Sequence, residues 1–231
     1  MTEERIIPLF PLGIVALPGA PIPLHIFEER YKEMIARCIE QGRVFGIVLF
    51  SGERMADTGC TVRVLEVLKR YDDGRMDILT RGEVRFRILE IFDEKSYLEG
   101  RVMFFDDRDE PPLERLPRLA EKGRAVFEEL IDLLSTGPAD DPIDLSDPKH
   151  LSFLIAGFEG FGAEEKQAFL EMTSTSARLE KGIAALEKVV QRFGLTREIE
   201  RIIGGNGHLP EDLRQKVGRM ESDQDPEEPS E

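Results

Sequence analysis

The sequence predicts an α+β fold, in which a small closed or half-closed β-barrel precedes a small helical bundle. Three observations support this. Up to about residue 105, short apolar or alternating runs lie between turn residues, as in small barrels. From residue 113 onward, apolar residues recur at spacings of three and four, which indicates helices. Charged residues and prolines fill residues 106–112 and favour an exposed linker there.

The predicted boundaries follow from these patterns. We expect a β-rich subdomain with one helix over residues 1–107 and a helical subdomain over residues 113–208. An acidic tail follows over residues 209–231. It is expected to be disordered at least from residue 221, because no apolar residue occurs after that point.

Short strands are predicted throughout the first subdomain. They cover residues 6–10, 22–27, 44–50, 62–67, 76–80, 84–89 and 97–105. The pair Asp73-Gly74 predicts a hairpin turn before residue 76, and Gly82 predicts a break between two strands. A single helix interrupts the series. Its apolar stripe contains Phe27, Tyr31, Met34, Ile35, Cys38 and Ile39, and Gly42 lies where a carboxyl-terminal cap belongs.

Four helices are predicted in the second subdomain. The apolar stripes cover residues 116–134, 148–158, 163–172 and 179–193. Asp147 followed by Pro148 is a good start signal for the second of them, since aspartate caps the amino end and proline suits the first turn. Gly204 and Gly205 are interpreted as a carboxyl cap or hinge rather than a phosphate-binding loop, because they follow a helix.

Composition excludes several protein classes. The chain has 231 residues, 41% hydrophobic and 33% charged, which is typical of soluble globular proteins. No apolar run is long enough to cross a bilayer, and no secretory signal opens the chain, so we expect a cytoplasmic protein. Cys38 and Cys60 are expected to be small buried residues in a reducing compartment. The three histidines, His25, His150 and His208, show no metal-ligand spacing, so no metal or other cofactor is expected.

The charge is strongly negative and unevenly distributed. The net charge is −15; residues 1–107 carry 15 Lys and Arg against 19 Asp and Glu, and residues 108–231 carry 16 against 27. Such a charge repels phosphate backbones and argues against general binding of nucleic acid. Binding of nucleic acid remains an alternative if the chain has a local basic face. That face would have to be formed by Lys69, Arg81, Arg85 and Arg87.

Several segments together resemble the amino-terminal, substrate-binding domain of Lon proteases. The opening IPLFPLGIVALPG at residues 7–19 is similar to the start of that domain, as is its continuation IPLHIFEERY at residues 22–31. GCTVRV at residues 59–64 and GEVRFR at residues 82–87 follow in the expected order. KQAFLE at residues 166–171 and ARLE at residues 177–180 resemble the closing helices, so the resemblance covers about residues 5–195.

This resemblance implies a PUA-like pseudo-barrel followed by a helical bundle, in a stand-alone form of the domain. It also implies a non-catalytic module that binds unfolded or degron-bearing polypeptides, and that acts as an adaptor in protein quality control, with or without a separate protease. The Walker A pattern is absent, and we expect no serine–lysine protease domain in a chain of this length, so we do not expect an enzyme. The resemblance alone would nevertheless group the chain with the peptidase S16 family. The alternative is a PUA-like RNA-binding protein.

The candidate binding residues lie in and near the Lon-like segments. They are His25, Phe27, Arg30, Tyr31 and Phe104, of which the aromatic side chains could line an apolar groove for peptide. No catalytic residue is predicted. His150 and Ser152 point apart on a helix and are expected to be solvated, and Glu28 and Glu29 are expected to serve the helix dipole.

Overall fold

The fold was described from a computed structural model, which describes residues 4–108, 115–134 and 144–205, with side chains up to residue 193. In chain order the elements are β1 (Glu4–Leu12), β2 (Pro21–Ile26), α1 (Glu29–Gln41), β3 (Phe45–Ser51), β4 (Arg54–Arg70), β5 (Met76–Phe92), β6 (Glu99–Phe104), α2 (Arg115–Leu134), α3 (Pro148–Ala156), α4 (Ala163–Glu171) and α5 (Thr175–Gly205). Strands thus precede a helical half, which confirms the predicted α+β class.

The six strands form one mixed sheet in the order β2-β5-β4-β3-β1-β6. Only β1 and β3 pair in parallel; the other pairings are antiparallel. Because β5 also pairs with β6, hydrogen bonding runs around β5, β4, β3, β1 and β6 and returns to β5. This arrangement is possible because β5 is long enough to pair with β2 and β4 along one part and with β6 along another.

Two cores lie on the two faces of the sheet. Phe10 and Ile47 belong to the larger core, whereas their neighbours Leu9 and Val48 belong to the smaller one, as the alternation of side chains along strands requires. The smaller core centres on Phe86, whose ring occupies the space that a Cβ would need at Gly46 and Gly59. Those two glycines therefore make room for an aromatic side chain between the strands.

The larger core continues from the sheet into the helices. It contains Tyr31, Met34, Ile35 and Cys38 of α1 together with buried residues of α2, α3, α4 and α5. The larger core therefore contains residues from both sides of the predicted boundary at residue 107, and that boundary stays a prediction.

A buried ionic network joins β5 to the helices and includes Asp107 of the predicted linker, whereas its neighbours Asp106 and Arg108 are exposed as expected. Arg85 of β5 and Arg178 of α5 are almost fully buried, and both donate hydrogen bonds to the carboxylate of Asp107. Thr175 donates to the same carboxylate at 2.5 Å, and Arg178 Nε donates to Ser152 Oγ at 2.8 Å. Only 9% of the Asp107 side chain is exposed, so this part of the predicted linker is a packed, charge-paired residue.

The two arginines of this network also donate hydrogen bonds to backbone carbonyl oxygens at the end of α4. Arg85 Nη1 donates to the carbonyl oxygens of Leu170 and Met172, and Arg178 Nη1 donates to that of Met172. The Arg178 guanidinium also lies 3.9 Å from the centre of the Phe153 ring. These contacts supply the partners that buried guanidinium groups need.

Several local predictions are confirmed. Gly42 caps α1 in the left-handed conformation, and the Asp147 side chain accepts hydrogen bonds from the backbone of residues 149 and 150. Gly74 adopts a φ of 82° in the β4–β5 hairpin. Cys38 and Cys60 are both buried and free.

Other local predictions are wrong. Gly82 does not break a strand, because β5 runs through it; the backbone of Leu17 lies where a side chain would stand, so a glycine is needed for that close approach. Phe27 precedes α1 instead of joining its buried stripe, and Ser152 is buried rather than solvated. Gly204 and Gly205 still belong to α5, and the rest of that glycine-rich segment, with the acidic tail, lies outside the described residues.

Candidate functional site

An exposed cluster of aromatic side chains lies where β2 ends beside the β4–β5 hairpin. We call His25, Phe27 and Tyr71 the aromatic cluster. The His25 ring is stacked on Phe27 with 6.0 Å between ring centres, and it meets Tyr71 edge-on at 5.9 Å. Phe27 is 60% exposed, so a large apolar ring faces solvent without a core to cover it.

The pairing of the strands positions this cluster. β2 is hydrogen-bonded to β5 with His25 opposite Asp77, and the turn between β4 and β5 brings Tyr71 back to the same carboxylate. The Tyr71 amide donates to the carbonyl of Arg75, and the Gly74 amide donates to the carbonyl of Tyr71, which closes the turn. Lys32 of α1 donates to the Asp73 carbonyl at 2.8 Å, so the helix and the hairpin are held together.

Asp77 organises the polar side of the cluster. His25 Nδ1 lies 2.5 Å from Asp77 Oδ1, and the Tyr71 hydroxyl donates to Asp77 Oδ2 at 2.8 Å. The hydrogen bond with His25, followed by that from Tyr71, lowers the pKa of the Asp77 carboxyl below its usual value. An ionised Asp77 therefore fixes the ring of His25, which stays partly exposed beside Phe27.

Two cations lie over the Tyr71 ring. The Lys69 ammonium is 4.5 Å and the Arg75 guanidinium 4.9 Å from its centre, within the range of cation–π attraction. Tyr71 and Asp77 were not among the residues predicted from the sequence to form a site. The hairpin signal Asp73-Gly74 was the clue to both, because the residues that flank a hairpin turn meet across it.

The five predicted binding residues do not form one site. His25 and Phe27 lie together in the aromatic cluster. Arg30 begins α1, pairs with Glu28 at 2.8 Å and lies 4.6 Å from the ring centre of Tyr31. Tyr31 itself is 7% exposed and packs on Phe10 with ring centres 4.0 Å apart, so it belongs to the core. A role for Tyr31 as a direct ligand contact has no geometric support.

Phe104 lies at the end of β6 beside a shallow cleft between the strands and α3. The cleft has a volume of about 260 Å³ and is also lined by Phe105, Val84 and Lys149. Phe104 also borders a second cavity, on the side of β1 and α1. None of the other four predicted residues lines the cleft.

The edge of β2 is a poor template for an added strand. Pro21 and Pro23 have no backbone N–H to donate, and β2 pairs with β5 along its other side. Backbone pairing with an additional strand is therefore disfavoured along this edge.

The structure also bears on a basic face for nucleic acid, on a metal site and on membrane-spanning helices. Arg85 is buried in the ionic network, so Lys69, Arg81, Arg85 and Arg87 cannot form one exposed basic face. Among the described residues, no group of three His, Cys, Asp or Glu side chains could hold a metal ion, and no helix is long and apolar enough to cross a membrane.

The cysteines are poor nucleophiles. Burial raises the pKa of the Cys38 thiol to about 11 and that of the Cys60 thiol to about 12, so little of either is a thiolate near neutral pH. His150 stands against Gly19, and Ser152 accepts from Arg178 while donating to the Lys149 carbonyl. Within the described part of the chain, the hydroxyl of Ser152 is thus committed to structural hydrogen bonds.

Comparison with known sequences gives one consistent result. The sequence profile of the ATP-dependent protease La (LON) substrate-binding domain matches residues 6–188. Lon protease 2 of Myxococcus xanthus is 25% identical over 213 residues, which are 87% of this chain and 26% of that protein. Lon protease of Anaeromyxobacter dehalogenans is 26% identical over 212 residues, 87% of this chain and 25% of that protein. The chain therefore spans about a quarter of the length of these relatives, and no ATPase or protease domain is matched.

Solved structures agree on the fold. The Lon N-terminal domain protein from Xanthomonas campestris has a TM-score of 0.60 and 24% identity, covering 78% of this chain and 98% of that one. The N-terminal domain of the Mycobacterium avium complex Lon protease has a TM-score of 0.59 and 18% identity, covering 79% and 98%. Sequence and fold thus indicate the same kind of domain, which agrees with the resemblance noted in the sequence.

Proposed function

Because the chain belongs to the family of the LON substrate-binding domain, we propose that it binds unfolded or degron-bearing polypeptides without acting on them chemically. The observation that carries this proposal is the match over residues 6–188, which includes all six strands after the first residues of β1 and most of the described helices. We further propose a cytoplasmic location, in keeping with the composition.

We propose the aromatic cluster as the contact surface for apolar side chains of the polypeptide. Phe27 exposes most of its ring, and His25 keeps 45% of its side chain exposed while Asp77 holds it in place. Rigid, exposed aromatic rings bind apolar segments at a low cost in side-chain entropy. Arg30, at the start of α1, lies close in sequence and is exposed enough to add a hydrogen bond to a peptide carbonyl.

A binding titration tests the proposal. A fluorescently labelled, permanently unfolded polypeptide should bind the purified chain saturably, and unlabelled polypeptide should compete. Phe27→Ala should weaken binding by about five- to thirtyfold, the equivalent of about 1–2 kcal/mol for an exposed aromatic anchor. Phe50→Ala, which removes another exposed phenylalanine on β3 (45% exposed), is the matched control and should leave the affinity unchanged.

The outcomes separate clearly. If the unfolded polypeptide shows no saturable binding, the proposed function is wrong. If it binds but Phe27→Ala and Phe50→Ala have equal effects, the function stands and the location at the aromatic cluster is wrong.

The adaptor role is a further part of the proposal. An adaptor should accelerate degradation of a client by a separate ATP-dependent protease at low client concentration, where delivery limits the rate. Phe27→Ala should remove the acceleration without changing the rate at saturating client.

A further inference from the structure

One cavity in the described part of the chain is bordered by several basic side chains, although the chain as a whole is acidic. It has a volume of about 500 Å³ and lies between β1, α1 and the segment that leads into β6. Its lining carries five basic side chains and one acidic one, namely Arg5, Arg37, Arg43, Arg63, Lys95 and Glu99. In a chain of net charge −15, a cavity bordered by a basic side chain that no carboxylate neutralises is a candidate site for a negatively charged group.

Carboxylates of the chain already pair with several of these cations at the rim. Arg63 makes two hydrogen bonds to Glu83, at 2.6 and 3.2 Å, and Lys95 lies 2.8 Å from Glu99. Arg37 pairs with Glu33 at 2.8 Å. Within the described residues Arg43 makes no side-chain ion pair or hydrogen bond, yet its guanidinium borders the same cavity. The fork of an arginine suits a carboxylate, as the Arg63–Glu83 pair illustrates.

Apolar surface lies beside these charges. Ile6 is 60% exposed, and Phe104 also lines the cavity, with Arg5 positioned 5.9 Å from the centre of the Phe104 ring. A cavity of this volume is the size of ordinary ligand pockets. Mixed lining of this kind fits a carboxylate that is attached to apolar groups better than it fits a uniformly charged phosphate backbone.

We propose that this basic cavity binds a carboxylate of the polypeptide client, from either an acidic side chain or the carboxyl terminus, with Arg43 as its principal partner. The proposal rests on the proposed function, since it assumes that the ligand is a polypeptide. It adds a second, polar anchor to the apolar contacts of the aromatic cluster, and so makes acidic unfolded segments the preferred clients. Phe104, which sequence analysis singled out, then contributes apolar contact at this cavity.

Four labelled peptides of one apolar sequence test the proposal by fluorescence anisotropy. Two contain a pair of glutamates and two contain glutamines instead, and each kind is made with a free and with an amidated carboxyl terminus. The peptides that keep a recognised carboxylate should bind roughly two- to fivefold more tightly than the glutamine amide, and added salt should reduce the difference. Comparing the four separates a side-chain carboxylate from a terminal one.

Variants of Arg43 test whether the preference for a carboxylate arises at this cavity. Arg43→Gln should reduce the carboxylate preference to near one, and Arg43→Lys should keep part of it. Arg54→Gln, which removes an exposed arginine of β4 that does not line the cavity, is the matched control and should keep all of it. Both glutamine variants change exposed side chains, and circular dichroism verifies that they fold.

The outcomes are distinct from those for the proposed function. If all four peptides bind equally, the carboxylate proposal is overturned while polypeptide binding stands; if none binds, polypeptide binding itself fails. If a labelled single-stranded RNA binds with a dependence on Arg43 and displaces the peptides, the cavity takes phosphate and the proposal is likewise overturned.

Discussion

Removing the charge of Asp107 should destabilise the chain strongly. Asp107 accepts hydrogen bonds from two buried arginines, Arg85 and Arg178, and from Thr175. Burial alone would raise the pKa of its carboxyl, but the hydrogen bonds from Arg178 and Thr175 and the charges of Arg178 and Arg85 lower that pKa to about 2.

The magnitude follows from the pKa. A fall from the usual 3.8 to about 2 corresponds to about 2–3 kcal/mol of stabilisation by the ionised form at neutral pH. Asp107→Asn also leaves two buried guanidinium groups without their shared anion, and loss of one partner from a buried ion pair costs about 3–5 kcal/mol. We therefore expect a loss of about 3 kcal/mol in the free energy of unfolding at pH 7.

Urea unfolding, followed by circular dichroism, measures this loss. Because the folded-state pKa is depressed, the contribution of Asp107 is fully present well above pH 4 and is lost as pH falls through about 2. The difference between the native chain and Asp107→Asn should therefore shrink between pH 5 and pH 2. The control is Asp106→Asn, whose side chain is 68% exposed and pairs with Lys149, and it should cost at most about 1 kcal/mol.

Two results would show that the charge of Asp107 does not stabilise the fold. One is a loss at pH 7 no greater than that of Asp106→Asn. The other is a difference that stays constant from pH 5 to pH 2, since a loss due only to altered packing would not follow the titration of a carboxyl group.

Three further predictions concern packing and reactivity. Gly82→Ala should destabilise by at least about 1–3 kcal/mol, because its Cβ would stand 2.1 Å from the carbonyl oxygen of Leu17; a midpoint of urea unfolding equal to that of the unmodified chain would contradict this. Phe86→Ala should cost about 3–5 kcal/mol in the same assay, since its ring fills the smaller core, whereas Phe27→Ala should stay within about 0.5 kcal/mol. Cys38 and Cys60 should react with a thiol reagent at pH 8 only after unfolding, because burial raises their pKa to about 11 and about 12; rapid labelling of the folded chain would show that a thiol is accessible.

Much of the fold could be predicted from local signals. The hairpin at Gly74, the cap at Gly42 and the start of α3 at Asp147 each depend on a few adjacent residues, and all three are present in the structure. The class and order of the elements followed from the change in apolar periodicity. Gly82 was misjudged because its role depends on Leu17, a residue far away in the sequence.

The candidate site was less predictable for the same reason. His25 and Phe27 were identified from the Lon-like segment, but Tyr71 and Asp77 join them only through the pairing of β2 with β5. The same limit applies to the ionic network. Asp107 lies in a segment whose composition predicted a linker, and Arg85 lies in a run that predicted a strand with an exposed face. The charges that pair here come from residues 85, 107 and 178. Because these residues are far apart in the chain, no local pattern in a single sequence predicts that they pair.

We propose that this chain binds unfolded polypeptide through its exposed aromatic cluster. The decisive measurement is the fluorescence anisotropy of one labelled, permanently unfolded polypeptide, titrated with the chain and with its Phe27→Ala and Phe50→Ala variants. We predict saturable binding that Phe27→Ala weakens about five- to thirtyfold and Phe50→Ala leaves unchanged. Absence of saturable binding, or equal affinity of all three proteins, would contradict the claim.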